Sequence, residues 1–175
     1  MEITFVQATA ADLPQIVAIY NQAIPGHRAT ADLAPVTVAQ RQAWFAAHDP
    51  RRRPLWLLIA AGQVVGWVGL EDFYGRAAYA RTAEISLYLA DQAQGQGVGQ
   101  QALDFVVTQL PRLEVTTLLA YVFGHNQASQ HLFRKNGFTP WAHLPGVALL
   151  AGRSRDLDIL GRHFTSGTKP QDQPE

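Results

Sequence analysis

Apolar and polar positions along the chain fall into short segments whose periods predict the elements in order. Ile3 to Gln7 alternates as a first strand, and Thr9 can cap a helix to about Ile24 with Leu13, Ile16, Val17 and Tyr20 on one stripe. Pro25 to Pro35 is a polar loop, and Thr37 can cap a second helix to about His48. Leu55 to Ala60 and Val64 to Phe73 are apolar runs joined by Ala61-Gly62-Gln63, a hairpin signal. Thr82 to Leu89 alternates as a strand, Gln101 to Leu110 has helical spacing, and Leu118 to Phe123 is strand-like. A helix capped by Asn126 stops at Asn136-Gly137, and Thr139 to Leu144 and Leu157 to Leu160 are the last two expected strands. The order β-α-α-β-β-β-α-β-α-β-β is a mixed α/β pattern. One domain over residues 1–164 is expected, with a frayed tail over 165–175 that is rich in Ser, Gly, Pro and acid.

The segment between the Thr82 strand and the Gln101 helix changes this picture most. It reads Gln94-Gly95-Gln96-Gly97-Val98-Gly99-Gln100. Glycine lets backbone N–H groups approach a ligand with no Cβ in the way. The first N–H groups of a helix lack internal partners, and the helix dipole adds positive potential there. Such a turn suits a pyrophosphate. No Lys follows the last Gly, so a P-loop is disfavoured, and the glycines alternate rather than forming G-x-G-x-x-G.

The run resembles Q/R-x-x-G-x-G/A, the acetyl-CoA pyrophosphate signature of the GCN5-related N-acetyltransferases (GNAT), with Gln94, Gly97 and Gly99 at its fixed positions. Downstream, Asn126 to Phe138 (NQASQHLFRKNGF) resembles the second cofactor element of that superfamily, roughly 30 residues further on. Tyr20-Asn21, Ala29-Thr30-x-Asp32, Pro35-Val36-Thr37, Arg41, Trp44-Phe45, His48, Arg76 to Tyr79 and Thr82 to Tyr88 follow with the spacing of the phosphinothricin acetyltransferase family. Gly152-Arg153-Ser154-Arg155-Asp156 is similar to a degraded form of its G-R-W-x-D segment.

The resemblance implies a mostly antiparallel, twisted central sheet with a splayed strand pair and helices on both faces. It implies acetyl-CoA as acetyl donor, held by Leu87, Tyr88, Leu89, the residues Gln94, Gly95, Gln96, Gly97, Val98, Gly99 and Gln100, and Asn126, Ser129 and Phe133. It also implies a homodimer as an expectation.

Composition bounds the rest. The 175 residues are 47% hydrophobic and 16% charged, with 14 basic and 14 acidic side chains. A zero net charge gives no reason to expect nucleic-acid or membrane-surface binding. No apolar run reaches spanning length and no secretory segment follows Met1, so a cytoplasmic setting is expected. Arg51-Arg52-Arg53 reads as a solvated loop. With no cysteine there is no thiolate metal site and no cysteine acyl-enzyme, so acetyl transfer would be direct, in a ternary complex. The six histidines lack metal spacing, and no metal is expected.

On the Thr82 strand, Glu84, Ser86 and Tyr88 share one face. Glu84 is the candidate base for the acceptor ammonium, a role the resemblance also implies; its structural alternative is an ion pair with Arg76 or Arg81. Backbone groups of Leu87 and Leu89 are expected to pair with the pantetheine amides, and an N–H at Leu87 or Tyr88 to polarise the carbonyl. Many relatives carry a proton-donating Tyr where this chain has Phe133, so the donor is water, Tyr88 or Tyr121; His131 lies two positions off. A free amino acid would bring a carboxylate that suits an Arg fork, and Arg76 is the candidate, with Tyr74 and Tyr79 beside it. Tyr74 stands where relatives place a partner Arg, and Ser154 where they place Trp. Trp44, Phe45, Tyr74 and Tyr79 form either an aromatic wall or ordinary core; His48 reads as structural, and His125 lies at the entrance to the Asn126 helix. The expected acceptor is a small amino acid or analogue of the phosphinothricin or methionine sulfoximine kind. The alternatives are another amine, a peptide or a protein as acceptor, or a catalytically silent CoA-binding sensor.

Overall fold

The computed structural model describes residues 1–165; the expected tail falls almost wholly outside them. The elements run β1 Thr4–Gln7, α1 Leu13–Gln22, α2 Val38–Ala46, β2 Leu55–Ala60, β3 Gln63–Asp72, β4 Thr82–Leu89, α3 Val98–Gln109, β5 Thr117–Phe123, α4 Gln127–Lys135, β6 Thr139–Leu150 and β7 Arg153–His163. This is the order that the periodicity predicts. The strands form one seven-stranded sheet, β1-β2-β3-β4-β5-β7-β6, antiparallel throughout except for β4 beside β5.

Helices cover both faces, and β2 shows why it reads as an unbroken apolar run. Leu55 and Leu57 join α1 residues Leu13, Ile16 and Tyr20 in one core. Trp56 and Leu58 face the other way, with Val98, Leu103 and Val106 of α3 and Phe133 of α4. A strand buried on both faces has no solvent side to keep polar. The β2–β3 turn is Ala61-Gly62, both with positive φ (47° and 76°), as a two-residue hairpin requires.

The boundaries of four elements depart clearly from the sequence reading. Thr9 caps a short 3₁₀ turn, Ala10–Asp12, through bonds to Asp12 Oδ2 (2.8 Å), and α1 restarts at Leu13 with Pro14 in its first turn. The second helix ends at Ala46 rather than near His48, although Thr37 caps it as expected, exchanging bonds with Gln40. The last two strands are far longer than Thr139–Leu144 and Leu157–Leu160. Pro145-Gly146 lies inside β6, and the polar run Arg153–Asp156 opens β7. Here β6 is an edge strand, where a missing N–H costs no ladder bond, and register shifts between Leu144 and Ala148 absorb the irregularity. The Gly146 N–H is satisfied by Asp156 Oδ1 at 2.8 Å.

The arginine cluster is also corrected. Arg51 and Arg52 are exposed, but the Arg53 side chain is only 4% accessible. It donates to Ala80 O (2.8 Å) and Thr82 O (3.2 Å), and its Nε lies 2.7 Å from Asp72 Oδ1. The last residue of a solvated-looking run thus ties the β2 entrance to the start of β4.

Candidate active site

The β4–β5 pair decides where a ligand can enter. The two strands are in register only from Thr82↔Thr117 to Glu84↔Leu119. Beyond Glu84 they part, because β4 follows β3 as far as Gly66↔Leu89 while β5 follows β7 as far as Phe123↔Leu157. The β5-facing edge of β4 from Ile85 to Leu89 therefore has no strand partner. A cleft of about 510 Å³ opens in this gap. Its walls are Glu84 to Tyr88 of β4, Ala120 to Phe123 of β5, Asn126, Ser129, Leu132 and Phe133 around α4, residues Arg28 to Asp32 of the α1–α2 loop, and Val147, Ala148 and Leu157 of the last hairpin.

At one end of β4 the chain turns through Gly95 and Gly97, both at positive φ (70° and 76°), into the N-terminus of α3. Nothing lies within 4 Å of where a Cβ would stand on either glycine. Gly97 offers no side-chain cap, and the first intrahelical bond is Gln101 N–H to Gly97 O, so the N–H groups of Val98, Gly99 and Gln100 keep no helix partner. Open donors on an open turn fit a pyrophosphate. Gly99 serves a different need: a Cβ there would stand 3.2 Å from Leu132 Cδ2, so this glycine lets α3 and α4 pack closely.

Side chains in the run are mostly committed elsewhere. Val98 is buried in the core, and Gln100 exchanges bonds with Asn136 (2.7 and 2.9 Å) across to the end of α4. Gln94 and Gln96 bond back to Leu89 O and Gln92 O. What the run presents outward is backbone. Asn126 caps α4, its Oδ1 accepting from Ser129 N–H (3.2 Å), and its Nδ2 has no protein acceptor among the described residues.

Glu84 sits at the other end of the gap. It has no ion pair with Arg76, Arg81 or any other described cation. Burial, helped by the Glu71 carboxylate, raises its pKa from 4.5 to about 7. Glu71 is its direct cross-strand partner and accepts from Trp44 Nε1 at 3.2 Å. A buried carboxylate opposite a second carboxylate resists ionisation, which makes it a competent proton acceptor near neutral pH.

Three tyrosines reach the cleft. Tyr20 bonds to Thr30 and to Asp32 Oδ2 (2.5 Å), and Tyr88 donates to Ala29 O (2.9 Å). Tyr121, on β5, has no hydrogen-bond partner among the described residues; burial and the nearby Glu84 charge raise its pKa. Phe133 lines the cleft as bare hydrocarbon, and His131 is exposed.

The expected acceptor-binding residues lie elsewhere. Tyr74, Arg76 and Tyr79 are exposed on the loop after β3 and do not line the cleft. Tyr74 and Tyr79 pack on Phe73 and on each other (centroids 4.9 to 5.9 Å), and Tyr74 is near enough to Tyr121 to help raise its pKa. Trp44 and Phe45 pack against the core of α1 and β3. His48 is structural, its Nδ1 3.1 Å from Trp44 O. His125 stands just before α4 and donates from Nε2 to His27 O (2.7 Å).

Sequence reasoning missed two walls. The α1–α2 loop carried family-like residues but no assigned role, and Val147 and Ala148 lay beyond the predicted end of their strand. Loops and edge strands have no period to follow, so only folding shows what they face.

A strand gap that runs from a carboxylate to a glycine-turned helix N-terminus suits a ligand with a phosphate at one end and a reacting group at the other. Residues 2–139 match the acetyltransferase (GNAT) domain family, and the chain belongs to that superfamily, in its phosphinothricin acetyltransferase-like branch. It is an acetyl-CoA-dependent N-acetyltransferase. It is 43% identical over 155 residues to YwnH of Bacillus subtilis (strain 168), provisionally named a phosphinothricin acetyltransferase; the match covers 88% of this chain and 94% of YwnH. It is 33% identical to the L-methionine sulfoximine/L-methionine sulfone acetyltransferase of Pseudomonas paraeruginosa (strain DSM 24068 / PA7), covering 91% of this chain and 94% of that one. The fold matches the crystal structure of a GNAT superfamily phosphinothricin acetyltransferase from Sinorhizobium meliloti in complex with acetyl-CoA, with a TM-score of 0.88 at 27% identity, covering 98% of this chain and 95% of that one.

Proposed function

We propose that this protein acetylates the α-amino group of a small free amino acid or analogue, of the methionine sulfone, methionine sulfoximine or phosphinothricin kind. The observation that carries the reading is Glu84, a carboxylate with a pKa of about 7 at the end of the β4–β5 gap. The named substrates of relatives that this chain matches over most of its length support the choice of acceptor.

Acetyl-CoA supplies the activated acetyl thioester. The Val98, Gly99 and Gln100 N–H groups and the glycine turn hold its pyrophosphate, and the free edge of β4 takes the pantetheine arm as an added strand. Glu84 removes a proton from the acceptor ammonium, and an N–H at Leu87 or Tyr88 donates to the carbonyl oxygen as charge develops there. The Tyr121 hydroxyl gives the departing sulfur its proton: it is the one cleft tyrosine with no protein partner among the described residues. Transfer is direct, since the chain has no cysteine to carry the acetyl group.

The protein works in the cytoplasm, where acetyl-CoA is at hand. Trp141, Val147 and Leu149 (43, 57 and 68% exposed) on edge strand β6 support a homodimer through that edge.

A thiol-release assay with acetyl-CoA tests the reading. Methionine sulfone, methionine sulfoximine and phosphinothricin are compared with simple amines and short peptides. Fast release with the amino acids is expected. Release only with peptides or other amines would overturn the acceptor, and binding of acetyl-CoA with no release to any acceptor would make the protein a sensor.

A further inference from the structure

An α-amino acid acceptor carries a carboxylate that must be matched somewhere in the cleft, and the residue expected for it, Arg76, is not on the wall. The charged residues that do line the cleft are Arg28, Asp32 and Glu84. Asp32 is already committed: its Oδ2 accepts from Arg41 at 2.9 Å and from Tyr20 at 2.5 Å. Arg41 is held in turn, with its guanidinium stacked 4.4 Å from the Tyr20 ring. Glu84 serves the amine. Arg28 has neither an ion pair nor a side-chain hydrogen bond among the described residues, and it is the only cation of the lining.

Its backbone, by contrast, is fixed on both sides. The carbonyl of His27 accepts from His125 Nε2 at 2.7 Å, which ties the loop to the corner before α4. The carbonyl of Ala29 accepts from Tyr88 Oη at 2.9 Å, which ties it to β4. Thr30, one residue on, is buried and bonded to Tyr20. Three anchors within four residues hold the strap at the cleft, and the strap carries one guanidinium that is unpaired among the described residues. A fork of this kind suits a carboxylate.

We propose that Arg28 is the carboxylate-binding residue of the acceptor site, so that the enzyme selects α-amino acids by pairing the amino group with Glu84 and the carboxylate with Arg28. This rests on the acceptor class proposed above and names the residue that enforces it.

The test compares methionine sulfone with its decarboxylated amine, 3-(methylsulfonyl)propylamine, in the wild type, Arg28→Gln and Arg28→Lys. Wild type should favour the amino acid. In Arg28→Gln the kcat/KM preference should collapse by about 10- to 100-fold, the loss expected for a charge-assisted hydrogen bond, mostly through KM. Arg28→Lys should recover part of it. Calorimetric binding of methionine sulfone in the presence of CoA should weaken in parallel, with unfolding temperatures unchanged because Arg28 is exposed and unpaired. If wild type turns over amino acids and Arg28→Gln keeps the preference, the Arg28 assignment is overturned while the acceptor class stands. If the variant instead raises KM for acetyl-CoA alone, Arg28 serves the cofactor and the proposal falls. If wild type acetylates amines but no amino acid, both readings fall together.

Discussion

Replacing Glu84 by Gln should make the protein less active and more stable, and the two effects should share one pH dependence. The carboxyl ionises at about 7 in the fold against 4.5 for the unperturbed group, because it is buried and faces Glu71. A carboxylate with a raised folded pKa is tolerated while protonated and costs stability once ionised. The unfolded chain releases this proton from about pH 4.5 upward, while the folded chain holds it to about 7. Stability therefore falls across that window and stays low above it. At about 1.4 kcal/mol per pH unit the penalty is at most about 3 kcal/mol. Glu84 keeps partial contact with water in the cleft, which screens the charge, so about 1–2 kcal/mol is expected. At pH 8.5 Glu84→Gln should unfold about 2–8 °C higher than wild type, given about 2–4 °C per kcal/mol in a chain of this size. The gain should shrink steadily as pH falls toward 5. In parallel, wild-type kcat/KM should show an acidic limb that breaks near pH 7, and the variant should lose the limb and about 100-fold or more in rate. Scanning calorimetry across pH and thiol release read the two halves. A stability offset that is the same at pH 5 and 8.5 would refute the titration argument, and near-normal activity would remove Glu84 as the base.

Two further substitutions probe the ends of the gap. Tyr121→Phe keeps the ring and removes the unpartnered hydroxyl, so kcat should fall by about 100-fold with little change in acceptor KM; a change under about threefold in a thiol-release assay would hand proton donation to water. Gly97→Ala places a Cβ in open space on a residue at φ 76°, so its cost of about 1 kcal/mol is backbone strain alone. Relaxing that strain turns the α3 N–H groups, and the acetyl-CoA dissociation constant measured by calorimetry should rise about fivefold or more; an unchanged constant would separate this turn from the pyrophosphate.

What the sequence determined is what short-range periods encode. Alternation and helical spacing carry the element order, and the Ala61-Gly62 hairpin, the Thr37 cap and the Asn126 cap depend on residues within a few positions of one another. The glycine turn belongs to this class too, since positive φ and a free helix N-terminus are local properties of Gly95 to Gln100. The position of Glu84 on one face of its strand follows from counting. What counting cannot supply is its partner: Glu71 meets Glu84 only because β3 and β4 pair in one register, and burial and that pairing raise the pKa of the carboxyl. Arg53 looked like the end of a solvated run and became an anchor because Ala80, Thr82 and Asp72 arrive from 19 or more residues away. The α1–α2 strap has no period at all. Its route over the cleft is set by His125, Tyr88 and Tyr20, and that convergence puts Arg28, rather than Arg76, among the residues that line the cleft. Local chemistry thus wrote the glycine turn and the open helix N-terminus into the sequence, while the cleft wall made by the α1–α2 strap depends on long-range contacts that exist only once the sheet has closed.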